Sequence, residues 1–292
     1  MPNAEIDISP ELVAALIQAQ HPDLAAPLRR VANGWDNVIF RLGEDLAVRL
    51  PRRAVAVSLI EHEQRWLSEL APGLPVPVPV PLRRGVPSEA FRWPWSITPW
   101  FAGHSLAHVP VRDRRPYAQV LGRFLARLHT PAAPEAPQNP VRGIPLAGRR
   151  DAFTRQLETV APDRSDLLRR HWERLVSVPP WTGPPLWVHG DPHPGNVLVQ
   201  DGTVSAVIDF GDLTAGDPAT DLALAWLAFD RPSRRELRVQ YARDRSLDDD
   251  TWTRARGWAL CLAVALIANS DDEPVLAAVG RDGLAEVLAD DR

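Results

Sequence analysis

The sequence contains no lysine: all 33 basic residues among its 292 are arginine. Any step that ordinarily uses an ammonium group must here use a guanidinium, which is planar, always charged and able to hold two oxygens at once. Cysteine is nearly absent as well. Cys261 stands alone, which excludes an internal disulfide and a cysteine zinc cluster and fits a reducing, cytoplasmic setting. No apolar run approaches a membrane span. The longest, ALCLAVALIA from Ala259 to Ala268, is about half of the roughly 20 residues required and reads as a buried core helix around Cys261. The opening MPNAEIDISPELVAALIQAQ sets acidic residues ahead of a short amphipathic helix, where a secretory signal has basic residues and then an apolar stretch. Excess charge is missing too. A formal net charge of −4 offers no whole-protein attraction to nucleic acid or an anionic membrane, and leaves a cationic or neutral small ligand as the compatible partner.

What is present is an ordinary globular composition, 45% hydrophobic and 24% charged, with 30 prolines. The first hundred residues read as strands with one long helix. A strand over Pro27 to Ala32 is followed by VIFRLGEDLAVRLPRR, a hairpin turning at Gly43-Glu44-Asp45. AVAVSLIEHEQRWLSELAPGL has apolar residues at helical spacing and stops at Pro72-Gly73. Trp95 to Phe101 reads as a strand, and the break at Gly103 puts a lobe boundary near residues 99–103. Beyond it the pattern turns helical: YAQVLGRFLARLH, then a proline-rich loop PAAPEAPQNPVRGIP, then helices around residues 147–175. A hairpin with Asp201-Gly202 at its tip and three or four helices after Pro218 complete the chain.

The segment WVHGDPHPGNVLV places His189, Asp191 and His193 at alternate positions, at first sight a set of metal ligands. A zinc site needs further ligands at recognisable spacing, and the six other histidines supply none. The residues downstream give the segment a different meaning. Asp191 and Asn196 stand in an Asp-x4-Asn spacing, and thirteen residues later comes Asp209-Phe210-Gly211. This is the order and spacing of the protein-kinase catalytic loop and its metal-binding Asp-Phe-Gly, with Gly190 where that loop has arginine. Either motif alone is common; joined by an apolar hairpin they point to phosphoryl transfer. That chemistry needs one carboxylate to orient the attacking hydroxyl and take its proton, and Mg²⁺ to neutralise phosphate charge. Asp191 is the expected base. Mg²⁺ prefers oxygen ligands, so Asn196 and Asp209 are the expected metal ligands. His189 then braces the loop, and His193 is a loop residue near solvent or the acceptor.

With these residues in place, the sequence resembles the aminoglycoside phosphotransferase family, small-molecule kinases with a protein-kinase-like fold. GWDNVIFRLGEDLAVRLPRR, EHEQRWL, LARLHTP, WVHGDPHPGNVLV, VIDFGD and GDPATDLALAW occur in the family's order between about Gly34 and Trp226. The resemblance implies an α+β, bilobal fold: a small β-rich nucleotide-binding lobe over 1–99, then a hinge and a larger, mostly helical lobe over 100–292. It implies ATP or GTP as donor and Mg²⁺ as cofactor. Where the family has a third-strand lysine this chain has Arg49, with Glu63 as partner. The turn Gly34-Trp35-Asp36-Asn37 falls where the family covers the triphosphate, and its backbone N–H groups are suited to phosphate oxygens. A purine would stack near Pro99, Trp100 and Phe101, whereas Trp93 and Trp95 read as core. Asp221 looks like the family's buried brace of the catalytic loop, although a charge at a helix N-terminus is an equal reading of that residue alone.

The acceptor is expected to be an aminoglycoside, as in antibiotic resistance. Macrolides, and metabolites such as homoserine, choline or sugars, are the alternatives, and a non-catalytic nucleotide-binding protein is a further one. Asp212, Asp217, Asp271, Asp272 and Glu273 are candidates for binding ammonium groups. The runs Asp248-Asp249-Asp250 and Asp271-Asp272-Glu273 read better as helix caps and solvated faces. The expected partners are nucleotide and small-molecule acceptor, with neither nucleic acid nor membrane. Nothing in the sequence specifies an oligomeric state.

Overall fold

Apolar residues at every second position make the first part of the chain a sheet, and their internal contacts, in a computed structural model that describes residues 3–160, 163, 165–270 and 272–290, define two units. Residues up to Pro72, Pro77–Ala102 and Ile208–Gly211 form the first; Gly73–Val76, Gly103–Val207 and the chain from Asp212 onward form the second.

In the first unit, the Ser9 hydroxyl accepts the Leu12 N–H at 3.2 Å and Pro10 opens helix α1 (Pro10–Gln20). A side-chain cap with proline in the first turn is a strong start signal. Strands β1 (Leu28–Asn33), β2 (Asn37–Leu42) and β3 (Leu46–Pro51) come next, then α2 (Val57–Leu70), β4 (Arg83–Gly85) and β5 (Trp95–Pro99). The sheet runs β1-β2-β3-β5-β4, antiparallel throughout. The expected hairpin is β2–β3, with Gly43 at φ +58° in its turn, a backbone region that glycine enters without steric cost. Val38, Phe40 and Leu42 of β2, Val48 and Leu50 of β3, and Trp95 and Ile97 of β5 form one buried cluster with Val13, Leu16 and Ile17 of α1. Each large apolar side chain so buried contributes about 1.5–3 kcal/mol. Because side chains alternate along a strand, Arg49, between Val48 and Leu50, points to the other face. Trp93 and Trp95 are core, as their neighbours in sequence suggest. Strand β4 has no forerunner in the sequence pattern, since RRG has no β-branched or apolar residue to announce it.

The second unit begins with β6 (His104–Ser105) and α3 (Arg115–Leu128), continues through α4 (Arg150–Val160) and α5 (Ser165–Val176), and reaches β7 (Leu186–Val188), β8 (Val197–Gln200), β9 (Thr203–Val207) and β10 (Thr214–Gly216). Asp201 and Gly202, both at positive φ, form the tip between β8 and β9. The order β6-β8-β9 makes one small sheet, and β7 pairs with β10 in another. Among the described residues, five helical segments come after Pro218, where the sequence pattern suggests three or four: α6 (Ala219–Leu222), α7 (Leu224–Ala228), α8 (Arg231–Ala242), α9 (Asp249–Asn269) and α10 (Pro274–Ala289). The difference lies in α6 and α7, two short pieces that meet at Ala223. Helix α9 is the core helix expected from ALCLAVALIA, with Cys261 fully buried in it. At Gly257 a Cβ would lie 2.3 Å from Cδ2 of Leu146, so a larger residue there would have to push that side chain aside. Among the described residues, no helix is long and apolar enough to cross a membrane.

Candidate active site

In the second unit, β7 delivers the chain into the loop from His189 to Asn196, and a single carboxylate fixes its first turn. Asp221, fully buried at the start of the helical series, accepts the N–H of His189 on Oδ2 at 2.7 Å and that of Gly190 on Oδ1 at 2.9 Å. Oδ2 also lies 3.1 Å from His129 Nε2, whose Nδ1 is 2.9 Å from the Tyr241 hydroxyl. A buried carboxylate is tolerated when its lone pairs are filled in this way. Burial pushes the Tyr241 phenol well above its ordinary range, despite the nearby charge of Arg245. It is therefore a neutral donor or acceptor in this chain of hydrogen bonds.

Gly190 has φ +89°, and a Cβ there would sit 2.3 Å from the Asp212 carbonyl oxygen. This is why glycine stands where the protein-kinase loop carries arginine. Two backbone amides then set the histidine tautomers. Asp191 N–H donates to His189 Nδ1 at 3.2 Å, and Gly195 N–H donates to His193 Nδ1 at 3.0 Å. A ring nitrogen that accepts has no proton, so each neutral ring carries its hydrogen on Nε2. His193 Nε2 lies 3.5 Å from Asp191 Oδ2. Pro192 and Pro194, lacking N–H groups, offer no competing donors.

The other oxygen of Asp191 is held from the proline-rich loop. Arg142 Nη2 donates to Asp191 Oδ1 at 2.9 Å, while its Nε lies 3.9 Å from Asp212 Oδ2. Asn139 builds that loop: its side-chain oxygen accepts the N–H groups of Val141 and Arg142, and its Nδ2 donates to Asp212 at 2.7 Å. Gly143 N–H donates to the Thr220 hydroxyl, and the Gly143 carbonyl accepts the Asp217 N–H. Burial pushes the Asp191 carboxyl up, but the Arg142 guanidinium and the His193 hydrogen bond outweigh it and hold Asp191 well below the usual carboxylate range. The group is an ionised acceptor aimed by two donors.

Asn196 Nδ2 donates to the Asp191 carbonyl at 2.9 Å. This leaves its amide oxygen pointing away from that bond, a hard oxygen of the chemical kind Mg²⁺ takes. Among the described residues no group of three or more His, Cys, Asp or Glu side chains is arranged to hold a metal, and His189 and His193 have ring nitrogens engaged in the hydrogen bonds of the loop itself.

In the first unit, Arg49 of β3 forks between two carboxylates: Nη1 donates to Glu63 Oε1 of α2 at 2.8 Å, and Nη2 to Asp209 Oδ1 at 3.1 Å. Arg49 and Glu63 are buried, whereas the Asp209 side chain is 53% exposed. Burial pushes the Glu63 carboxyl above its ordinary range even opposite Arg49. Asp209 has φ +65°, a strained backbone for a residue with a Cβ, of the kind that concentrates at functional sites. The turn Gly34–Asn37 is closed by three hydrogen bonds: Gly34 N–H to Asn37 O, Arg52 N–H to Asp36 O, and Arg52 Nη1 to Gly34 O, each 2.9 Å. Arg53 Nη2 meets the Asp36 carboxylate, and Trp35 is 41% exposed. Pro99 pairs with Leu46 in the sheet; the Trp100 N–H donates to the Asp45 carbonyl, and its ring lies under the Arg41 guanidinium at 5.1 Å. Phe101 is next in the chain, half-buried.

The acidic acceptor candidates fall in different settings. Asp217 is buried and paired with Arg254 Nε at 2.7 Å, and Asp212 is taken up by Asn139 and Arg142. Asp248 caps α9, and Asp272 and Glu273 are exposed just before α10. Asp271 lies outside the described residues. Sequence reasoning missed His129, Tyr241, Arg142, Arg52 and Arg53. Only His129 and the arginine pair lie in segments with a family likeness, LARLHTP and VRLPRR; Arg142 has no periodicity around it to mark it.

This order of elements and loop geometry is that of an α+β, protein-kinase-like fold, and solved structures share it. An aminoglycoside 2′-phosphotransferase-IIIa in complex with GDP superimposes with a TM-score of 0.69 at 19% identity, covering 96% of this chain and 98% of that one. The macrolide 2′-phosphotransferase MphH from Brachybacterium faecium gives 0.64 at 23% identity, covering 95% and 98%. The model of the phosphotransferase enzyme family matches residues 27–258, and the chain belongs to that family. In sequence it is 25% identical over 229 residues to a homoserine kinase of Granulibacter bethesdensis, covering 75% of this chain and 70% of that protein. It is 24% identical over 217 residues to the uncharacterised YcbJ of Bacillus subtilis, covering 68% of each.

Proposed function

We propose that this phosphotransferase moves the γ-phosphoryl group of ATP or GTP to a hydroxyl of a small molecule, with Asp191 as the base. The observation that carries the reading is the Asp191 carboxylate, ionised, held by Arg142 and His193, and set in a loop whose backbone is locked by Asp221. Its place is to orient the acceptor hydroxyl and accept its proton as the O–P bond forms, while the nucleoside diphosphate leaves with the electron pair of the broken bond. Asn196 and Asp209 are the residues that would hold Mg²⁺, which would neutralise phosphate charge. Arg49, fixed by Glu63, holds donor phosphate in place of the family lysine. The turn Gly34–Asn37 covers the triphosphate, and Pro99, Trp100 and Phe101 border the base. His189 and Asp221 keep the loop in shape.

For the acceptor, an aminoglycoside is the first candidate: a solved neighbour binds kanamycin with GDP, and Asp272 and Glu273 remain exposed. A second reading, a less cationic acceptor such as a macrolide or homoserine, is favoured by the commitment of Asp217 to Arg254 and of Asp212 to Asn139. Transfer of label from γ-labelled ATP and GTP to aminoglycoside, macrolide and hydroxy-amino-acid panels separates the two. Turnover is expected to disappear in Asp191→Ala, and full activity in that variant would sink the mechanism.

A further inference from the structure

Arg49 does not have the freedom of the lysine it replaces. Both terminal nitrogens of its fork already hold carboxylates, Glu63 and Asp209, so its charge is largely matched before any nucleotide arrives. The turn Gly34–Asn37 presents a second difficulty, because it carries a carboxylate of its own, Asp36, which would repel a triphosphate. Arg53 lies against that carboxylate. The pair is partly open, with side chains 23% and 32% exposed, and the Arg53 Nε and the Asn37 Oδ1 are buried with no hydrogen-bond partner. The turn does not need the pair for its shape, since the two Arg52 bonds and the Gly34–Asn37 bond close it without Arg53.

We propose that Arg53 is a ligand of the donor phosphates, kept in waiting by Asp36 and transferred to phosphate oxygens when the nucleotide binds. This rests on the nucleotide-dependent activity proposed for the site. Phosphate is the stronger partner, because it offers more charge and a geometry that matches the guanidinium fork. The exchange leaves Arg53 neutralising both the phosphate and the nearby Asp36. An alternative role, a pin that only fastens the turn to the end of β3, predicts the opposite response to loss of Asp36.

The test is calorimetric titration of MgATP and MgGTP into wild type, Arg53→Ala, Arg53→Lys and Asp36→Asn, with adenosine and guanosine as phosphate-free controls and a thermal melt of each variant. Arg53→Ala is expected to raise the triphosphate Kd about tenfold, the scale of one charge-assisted contact, with nucleoside binding unmoved. Arg53→Lys should recover part of the loss. Asp36→Asn should bind triphosphate as tightly as wild type or several-fold more tightly. Wild-type affinity in Arg53→Ala, or equal weakening in Asp36→Asn and Arg53→Ala, overturns the proposal. Failure of the wild type to bind either triphosphate overturns the nucleotide reading itself and is told apart by that control alone.

Discussion

Arg142 comes to Asp191 from a loop rich in proline, held on course by Asn139 and Gly143. Its guanidinium is the first opposing influence against burial that keeps Asp191 ionised, so its removal must raise the Asp191 pKa toward the ordinary range. The base form then disappears at a higher pH as the solution is acidified. For Arg142→Ala we expect the acid limb of kcat/KM to move to higher pH and kcat to fall by roughly tenfold or more through loss of orientation. A pH–rate profile on a turned-over acceptor checks both, and an unmoved acid limb would show that Arg142 does not set the ionisation of Asp191. At this scale the sequence was most legible where chemistry dictates residue type. Asp191, Asn196 and Asp209 stand out as candidates because few residue types can orient a hydroxyl or bind a hard cation, and their separation in sequence is tied to the hairpin between them. Arg142 was illegible for the converse reason: a long-range contact from an irregular loop leaves no periodic trace.

Elements were read best where a local rule set them. Ser9-Pro10 starts α1, Gly43 turns β2 into β3, and Asp201-Gly202 turns β8 into β9. The short strands β4, β6, β7 and β10, of two or three residues, escaped, since their pairing is decided by partners far along the chain rather than by their own sequence. Asp248 illustrates a rule with a measurable size. Its carboxylate accepts the Thr251 hydroxyl at 2.6 Å and the Thr251 N–H at 2.7 Å at the start of α9, and those bonds lower its pKa. A depressed carboxylate contributes stability that is complete above its unfolded pKa, about 3.9, and is lost as pH falls through the folded value. Asp248→Ala is expected to cost about 1 kcal/mol near neutral pH, and the gap from wild type in urea denaturation should narrow as the pH falls below about 4. A gap constant across that range would mean the charge plays no part.

Across the whole molecule, arginine takes structural work that a mixed set of cations would divide. Within the second unit, Arg114 is 2% exposed and donates to three backbone carbonyls, Val109 at 2.7 Å, Ala228 at 3.2 Å and Ala107 at 3.3 Å. Arg234 joins the Phe229 carbonyl, Glu286 and Asp290, and Arg254 joins Asp217, the Pro179 carbonyl and Thr251. Such fans require a planar fork of five donors. Arg114→Lys, which keeps the charge, is therefore expected to cost about 2–4 kcal/mol by stranding buried carbonyls, measured as a lowered urea midpoint with unchanged slope; a midpoint equal to wild type would show that charge alone suffices. There is also a consequence for alkaline solution. Guanidinium groups hold their protons to about pH 12 or beyond, so the buried pairs of Arg49 with Glu63 and Arg254 with Asp217 have no ammonium to discharge. Base cannot unlatch either unit from its cationic side in the range where a lysine-built equivalent would come undone.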